Sequence, residues 1–331
     1  MRHKKLTLIA LVVLLVAGVA SVSACAPEAS STRSIESASA PELPAPGAYS
    51  QAVQGIAQAP PVWEQVNSNG FGDPQVGEVT ALEAFNGFLY AGTYNPIDPA
   101  PLYDGAQIFH SSDGVAWTPV TQPGFGNSHD IAPPAILDFI VFNNQLYAGT
   151  GRGNASQLWR TSNGTIWAPM DVTGFSDPDN VDITALAVYN GMIYAGVTNQ
   201  VTGAQIWRSY TGDNNTWTQV APAVPGTAPS SVTGFAVFTF DGGLYAAVES
   251  EEAPAQIWRS YGGAWEIVVN DGFGDANTLS TGGMAVFLGN LYVGAGNTTV
   301  GAQLWRSVDG DVWTQVITCL LYTSPSPRDR S

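Results

Sequence analysis

Lysine is nearly absent. Of 331 residues only Lys4 and Lys5 are lysine, and the stretch Trp63–Thr318 carries five arginines against 23 Asp and Glu, a net charge of −18. A surface that acidic repels phosphate backbones and anionic headgroups, which argues against nucleic acid as a partner and against attachment to a membrane through basic residues. A P-loop needs a lysine that this stretch does not have, and neither G-x-S-x-G nor H-E-x-x-H occurs. Cysteine is found only at Cys25 and Cys319, and the central stretch has only His110 and His129 for histidine. Disulfide frameworks and catalytic zinc therefore lack ligands, and no cofactor is expected. Charged residues make up 11% of the chain, against a usual fraction of about 25%. With 45% hydrophobic residues, 10 Trp, 12 Tyr and 13 Phe, this excludes a coiled coil and an acidic disordered tail.

The two ends read differently from the middle. Arg2, Lys4 and Lys5 precede the apolar run Leu6–Ala20, too short to span a bilayer comfortably, and the pattern of Met1–Cys25 is that of an export signal. Val22-Ser23-Ala24-Cys25 resembles a bacterial lipobox, which implies acylation of Cys25 and a lipid-anchored, extracytoplasmic protein of the cell envelope. Residues 26–61 are rich in Ala, Pro, Ser and Glu without a period, the composition of a flexible tether. Cys319–Asp329 (CLLYTSPSPRD) resembles translated sequencing-adapter read-through, so residues 319–331 read as artefactual and the natural chain as longer.

Between the ends, over residues 62–318, a unit of about fifty residues repeats. Gln107, Gln157, Gln205, Gln256 and Gln303 recur with Tyr90, Tyr147, Tyr194, Tyr245 and Tyr292 and with Trp117, Trp167, Trp217, Trp265 and Trp313. In one unit, Thr184–Tyr189, Ile193–Thr198, Ala204–Ser209 and Thr216–Val220 read as strands A, B, C and D. Asn190-Gly191 forms a two-residue hairpin turn between A and B; Asn86-Gly87, Asn143-Asn144, Asp241-Gly242-Gly243 and Gly289-Asn290 are its counterparts. Strands B and C are apolar on both faces, so both must be covered. Four-stranded units of this length predict an all-β protein, a β-propeller, with the shorter-period β-solenoid as the other arrangement weighed. Trp63–Val66 matches the strand-D mark, which predicts five blades plus an extra outer strand and a natural protein of six or more.

Ser111–Trp117, Thr161–Trp167 and Ser307–Trp313, with the length variants Ser209–Trp217 and Ser260–Trp265, resemble a shortened Asp-box of sialidase-like propellers. The resemblance covers nearly all of Trp63–Val316. It implies structural roles for Asp113, Trp117, Asn163, Trp167, Trp217, Trp265, Asp309 and Trp313, and it specifies fold far more than function. A sialidase would imply an arginine cluster gripping a carboxylate. Arg160, Arg208, Arg259 and Arg306 instead recur once per blade, a scaffold pattern, and only Arg152 lies outside the register.

Candidate ligand contacts are accordingly sought where the repeat is broken, in the B–C and D–A loops: Tyr94, Tyr103, His129, Arg152, Asn154 and Glu251. Glu249, Glu251, Asp130 and Asp138 are the carboxylates to inspect for paired acid–base chemistry. In the recurring G-F-x-D loops, Asp177, Asp179 and Asp182 form a weak calcium candidate; an Asx turn with its Phe tucked against the next blade is the competing reading. No catalytic set is assigned. The sequence reads as a membrane-anchored, non-catalytic binding module for a glycan or a protein. A sialidase-like glycoside hydrolase and a structural envelope protein are the alternatives.

Overall fold

The computed structural model describes residues 64–95, 105–127, 133–151, 156–221, 230–238 and 240–316. Cys25 and the rest of the leader, the tether 26–61 and the tail 319–331 lie outside them.

The body consists of five four-stranded antiparallel meanders A–B–C–D in chain order; the pairs Tyr94–Ala135 and Asn199–Ser230 join the first to the second and the third to the fourth at their edges, giving two eight-stranded sheets and one of four. The first holds β1 (Glu78–Phe85), β2 (Phe88–Tyr94), β3 (Ile108–Ser111) and β4 (Thr118–Pro119). The second holds β5 (Ala135–Phe142), β6 (Gln145–Gly151), β7 (Leu158–Thr161) and β8 (Ala168–Asp171). The third holds β9 (Asn180–Tyr189), β10 (Met192–Asn199), β11 (Gln205–Ser209) and β12 (Thr218–Ala221). The fourth holds β13 (Ser230–Val237), β14 (Leu244–Ser250), β15 (Gln256–Ser260) and β16 (Glu266–Val269). The fifth holds β17 (Thr278–Phe287), β18 (Asn290–Asn297), β19 (Gly301–Ser307) and β20 (Trp313–Gln315). Consecutive sheets pack through their A strands, β1 on β5, β5 on β9, β9 on β13 and β13 on β17. These are the blades of a β-propeller.

Local sequence explains the hairpins. Asn86-Gly87, Asn143-Asn144 and Asn190-Gly191 all sit at positive φ, as a type I′ turn requires. In the fifth sheet the turn is Leu288-Gly289 (φ 47° and 73°), one residue earlier than the Gly289-Asn290 expected from sequence. Asn290 instead opens β18, pairing with Phe287. The proposed sixth outer strand is also corrected. Residues 64–66 are irregular and exposed rather than a strand.

There is no single core. Four apolar clusters occupy the four spaces between consecutive sheets. Between the first and second sheets, Tyr90 and Ile108 meet Ile136, Phe139 and Leu146; between the fourth and fifth, Tyr245 and Ile257 meet Leu291 and Val293. The B strand carries a glycine at the point of closest approach. A Cβ on Gly92, Gly149 or Gly196 would lie 2.6, 2.7 or 2.5 Å from atoms of Ile136, Ile183 or Val232 on the next A strand. The small residue lets the following sheet insert a branched side chain.

The recurring polar marks close the same gaps. Trp159, Trp207, Trp258 and Trp305 donate Nε1–H to the Gln two positions earlier at 2.8–3.0 Å. Arg160 donates to Asp213 at 2.7 Å, Arg208 to the Gly262 carbonyl at 2.7 Å and Arg259 to Asp311 at 2.8 Å; each time the partner lies in the C–D hairpin of the next sheet. Gly149→Val is expected to drive a methyl into Ile183 and lower stability by about 1–3 kcal/mol. A reduced urea midpoint with an unchanged m-value is the measurement that checks it.

Candidate functional site

The C–D hairpins come first, because they account for most of the repeated polar residues. Asp113 Oδ1 accepts the N–H groups of Val115 and Ala116, both at 2.8 Å, and Asp309 Oδ1 those of Asp311 and Val312 at 3.0 and 2.8 Å. These backbone donors hold both carboxyls below the usual carboxylate range. Asn163 accepts from Thr165 and Ile166 in the same way. Trp117, Trp167, Trp217, Trp265 and Trp313 are half-buried beside these turns, and the Nε1–H of each is buried without a conventional acceptor. A phenyl ring lies against every one. Phe71–Trp117, Phe125–Trp167 and Phe273–Trp313 are T-shaped at 5.5–6.1 Å, a geometry that admits an N–H···π contact.

Those phenylalanines belong to the G-F-x-D loops. Phe71, Phe125, Phe175 and Phe273 all adopt φ of 54–62°, a left-handed conformation costing roughly 1–2 kcal/mol for a residue with a side chain. Phe175 offsets this by burying its ring against Trp207 and Trp217 at 5.2 and 5.0 Å, contacts worth about 0.5–1.5 kcal/mol each beyond burial. In the same loop Asp177 is tied up. Its Oδ1 accepts from the Asp179 N–H at 3.0 Å, and its Oδ2 from Asn199 Nδ2 at 3.0 Å. Asp182 lies further along, in β9 opposite Thr198 of β10. Asp177, Asp179 and Asp182 are thus dispersed between an Asx turn and a strand, and no group of three His, Cys, Asp or Glu able to hold a metal occurs among the described residues. The calcium grouping is corrected accordingly, and Asp275 repeats the Asp177 arrangement with Asn277 and Asn297.

Of the ligand candidates, Tyr103, His129, Arg152 and Asn154 fall outside the described residues. Tyr94 is half-buried at the end of β2, and Glu251 is exposed just after β14. His110 stacks on Phe88 at 4.5 Å, and burial lowers its pKa. A cavity of about 330 Å³ lies at Val268, Asp271, Phe273, Trp305, Asp311 and Trp313, beside the aromatic stack of the fifth sheet.

The chemically distinctive groups sit on the inner strands. In most sheets a threonine at the A-strand bulge links neighbours. Thr80 Oγ1 donates to the Ile136 carbonyl, Thr184 to Val232 at 2.5 Å, and Thr233 shares a hydrogen bond with Thr281 at 2.6 Å. The second sheet has Leu137 there, and Asp138 makes the link instead. Its Oδ2 accepts the Leu186 N–H at 2.7 Å and its Oδ1 the Phe139 N–H at 2.8 Å. Burial pushes Asp138 up to about 7, against those two hydrogen bonds and with help from the negative charge of Glu83 on the adjacent A strand. Glu83 is itself raised by burial. Glu249 of β14 is likewise pushed up to about 7 by burial, against a hydrogen bond from the Thr281 N–H and with the charge of Glu251 adding to the rise. Glu83 went unrecognised in the sequence because its position in β1 looks like an ordinary solvent-facing one.

No protein-family model matches the chain, and no curated protein matches it in sequence. Solved structures are similar to it at low identity. An α-L-arabinofuranosidase from Clostridium thermocellum is 15% identical over 72% of this chain and 93% of its own, with a TM-score of 0.43. An α-L-arabinanase from Penicillium chrysogenum, solved with arabinobiose, is 14% identical over 73% and 81%, with a TM-score of 0.47. A Trypanosoma rangeli sialidase mutant is 14% identical over 70% and 46%, with a TM-score of 0.45.

The raised carboxyls tie stability to pH. Asp138 and Glu249 bind protons more tightly folded than unfolded, where their pKa values are about 3.9 and 4.3. Their contribution is fully present below about pH 4 and is lost as pH rises through about 7. Urea denaturation between pH 5 and 7.5 should show stability falling by at most about 1.4 kcal/mol per pH unit for each group. Replacing both in Asp138→Asn/Glu249→Gln should flatten that slope.

Proposed function

We propose that this protein is a lipid-anchored, extracytoplasmic propeller that binds neutral carbohydrate on the face formed by its inner strands and B–C loops. The observation that carries this reading is how its charge is distributed. Arg160, Arg208 and Arg259 are engaged in contacts between sheets, while among the described residues no basic side chain is paired with Glu83, Asp138 or Glu249. Half-buried carboxyls that accept and, when protonated, donate hydrogen bonds suit sugar hydroxyls. A net charge of −18 over Trp63–Thr318 disfavours sialic acids and uronates. The hairpins' likeness to the Asp-box and the lipobox-like Cys25 support the same placement outside the cytoplasmic membrane.

One observation favours a second reading, glycoside hydrolysis. Glu83 and Asp138 stand on neighbouring inner strands, close enough for the charge of one to raise the other. Two neighbouring carboxyls are what acid–base cleavage of a glycosidic bond needs.

Calorimetric titration with neutral pentose and hexose polymers and with polygalacturonate tests the first reading. Binding of a neutral polymer, weakened at least tenfold in Glu83→Gln and absent for the polyuronate, is expected; tighter binding of the polyuronate overturns it. Sustained fluorophore release from a fluorogenic glycoside panel, lost in Asp138→Asn, would establish the hydrolase instead.

A further inference from the structure

Among the described residues two blade faces lie uncovered, and each carries one half of the device that joins consecutive blades. On the fifth blade the uncovered side is the one that elsewhere receives the next blade. Phe287 is 41% exposed, whereas its counterparts Phe85, Phe142, Tyr189 and Phe238 are at most 7% exposed. Tyr292 is half-buried, whereas Tyr90, Tyr147, Tyr194 and Tyr245 are at most 1% exposed. A Cβ on Gly294 would meet nothing within 4 Å, although the space beside Gly92, Gly149 and Gly196 is filled by the A strand that follows. Among the described residues Arg306, which is exposed, makes no hairpin contact of the kind Arg160, Arg208 and Arg259 make. On the first blade the uncovered side is the one that elsewhere enters the preceding blade. Leu82 is 45% exposed where Phe139 and Leu186 are 3% and 6% exposed. Val79 and Leu89 are half-buried where Ile136 and Leu146 are fully buried. That side is otherwise complete, because Phe71 lies on Phe109 and Trp117 as Phe125 lies on Trp159 and Trp167.

We propose that the fifth blade of one copy of this chain docks on the first blade of a second copy, repeating the contact between consecutive blades. The first blade offers a counterpart to each exposed group. Val79 stands at the strand position of Ile136, Ile183 and Val232, the branched residues beside Gly92, Gly149 and Gly196, and it enters the space at Gly294. Gly114 is a hairpin glycine at positive φ with open space beside it. It covers Tyr292, as Gly164, Gly212 and Gly310 cover the hydroxyls of Tyr90, Tyr147 and Tyr245. Arg306 then needs an acceptor in the same hairpin. The contact of Arg208 with the Gly262 carbonyl at 2.7 Å shows that a backbone oxygen serves, and Asp113 adds a carboxylate next to Gly114. Leu82 and Phe287 leave water together, and that burial of apolar surface drives the association. A second copy fits better than the first blade of the same molecule. Within one molecule both faces are exposed, and bringing them together requires all four close-packed interfaces between blades to shift. A second copy requires no such change. The contact is heterologous, fifth blade to first, so the copies close into a ring or extend.

Sedimentation of the full chain and of two single variants tests the proposal. Gly294→Val fills the open space on the fifth blade, and Leu82→Asp places a charge on the first. Both sites have room in the single copy, so each variant is expected to keep the parent's thermal midpoint within about 2 °C. The parent should associate as its concentration rises, and each variant alone at least about tenfold more weakly. An equimolar mixture of the two variants should recover a species of two copies and go no further, because each supplies the face that the other has lost. Ile166→Ser, at an exposed hairpin tip of the second blade, should associate like the parent. In the parent, the β18 amides should gain hydrogen-exchange protection with concentration, an arm that stands even where a variant fails to fold. A parent that stays monomeric, a mixture that does not associate, or variants that associate undiminished would each overturn the proposal. So would protection of β18 in the monomer that Leu82→Asp removes, since the first blade of the same molecule would then be the occupant.

Discussion

A sheet that is apolar on both faces is soluble only when something lies against each face, and this requirement organises nearly every residue that repeats here. The B strands are the clearest instance. β6 and β10 are buried along almost their whole length, and they can be because a glycine at one point lets the next sheet approach within contact of the backbone. The tyrosine two residues before that glycine, the strand-C arginine and the hairpin glycine of the following sheet then seal the outer part of the same gap. None of these can change alone. A larger residue at Gly149 displaces Ile183, and a side chain at Gly212 displaces the Tyr147 hydroxyl. Stability is thus distributed over interfaces as nearest-neighbour terms, without a central core.

The same logic explains where strain is tolerated. Four phenylalanines in left-handed backbone would be a liability in isolation, yet each is fixed between a strand-C aromatic and a strand-D tryptophan. For Phe175, two aromatic contacts plus burial of the ring, about 2 kcal/mol or more, outweigh a backbone cost of about 1–2 kcal/mol. The loop is held in one conformation by packing, and so the Asp that follows has a defined role as a turn acceptor.

Much of this architecture was legible in the sequence because it is written five times. Unit length, the strand order A–B–C–D, the Asn-Gly turns and the placing of arginines in a repeated context all follow from comparing copies, and strand limits in the third unit came within four residues of β9 to β12. Single-copy features resisted the same method. Trp63–Val66 carries the strand-D signature, yet residues 64–66 are irregular and exposed. The turn Leu288-Gly289 was misplaced by one residue because leucine at positive φ runs against propensity and is dictated by pairing of Phe287 with Asn290. Asp177, Asp179 and Asp182 are close in sequence yet separate in space, because the strand begins between them and carries Asp182 away from the turn.

The inner strands show most sharply how exceptions acquire chemistry. Where three sheets use a threonine hydroxyl to reach the next A strand, the second has leucine, and the adjacent aspartate performs the linking with an ionisable group. A hydroxyl is neutral at every pH, whereas burial raises the half-buried Asp138 carboxyl to about 7, with the charge of Glu83 adding to the rise. Asp138 therefore joins the second sheet to the third through a group whose contribution to stability is lost as pH rises through about 7.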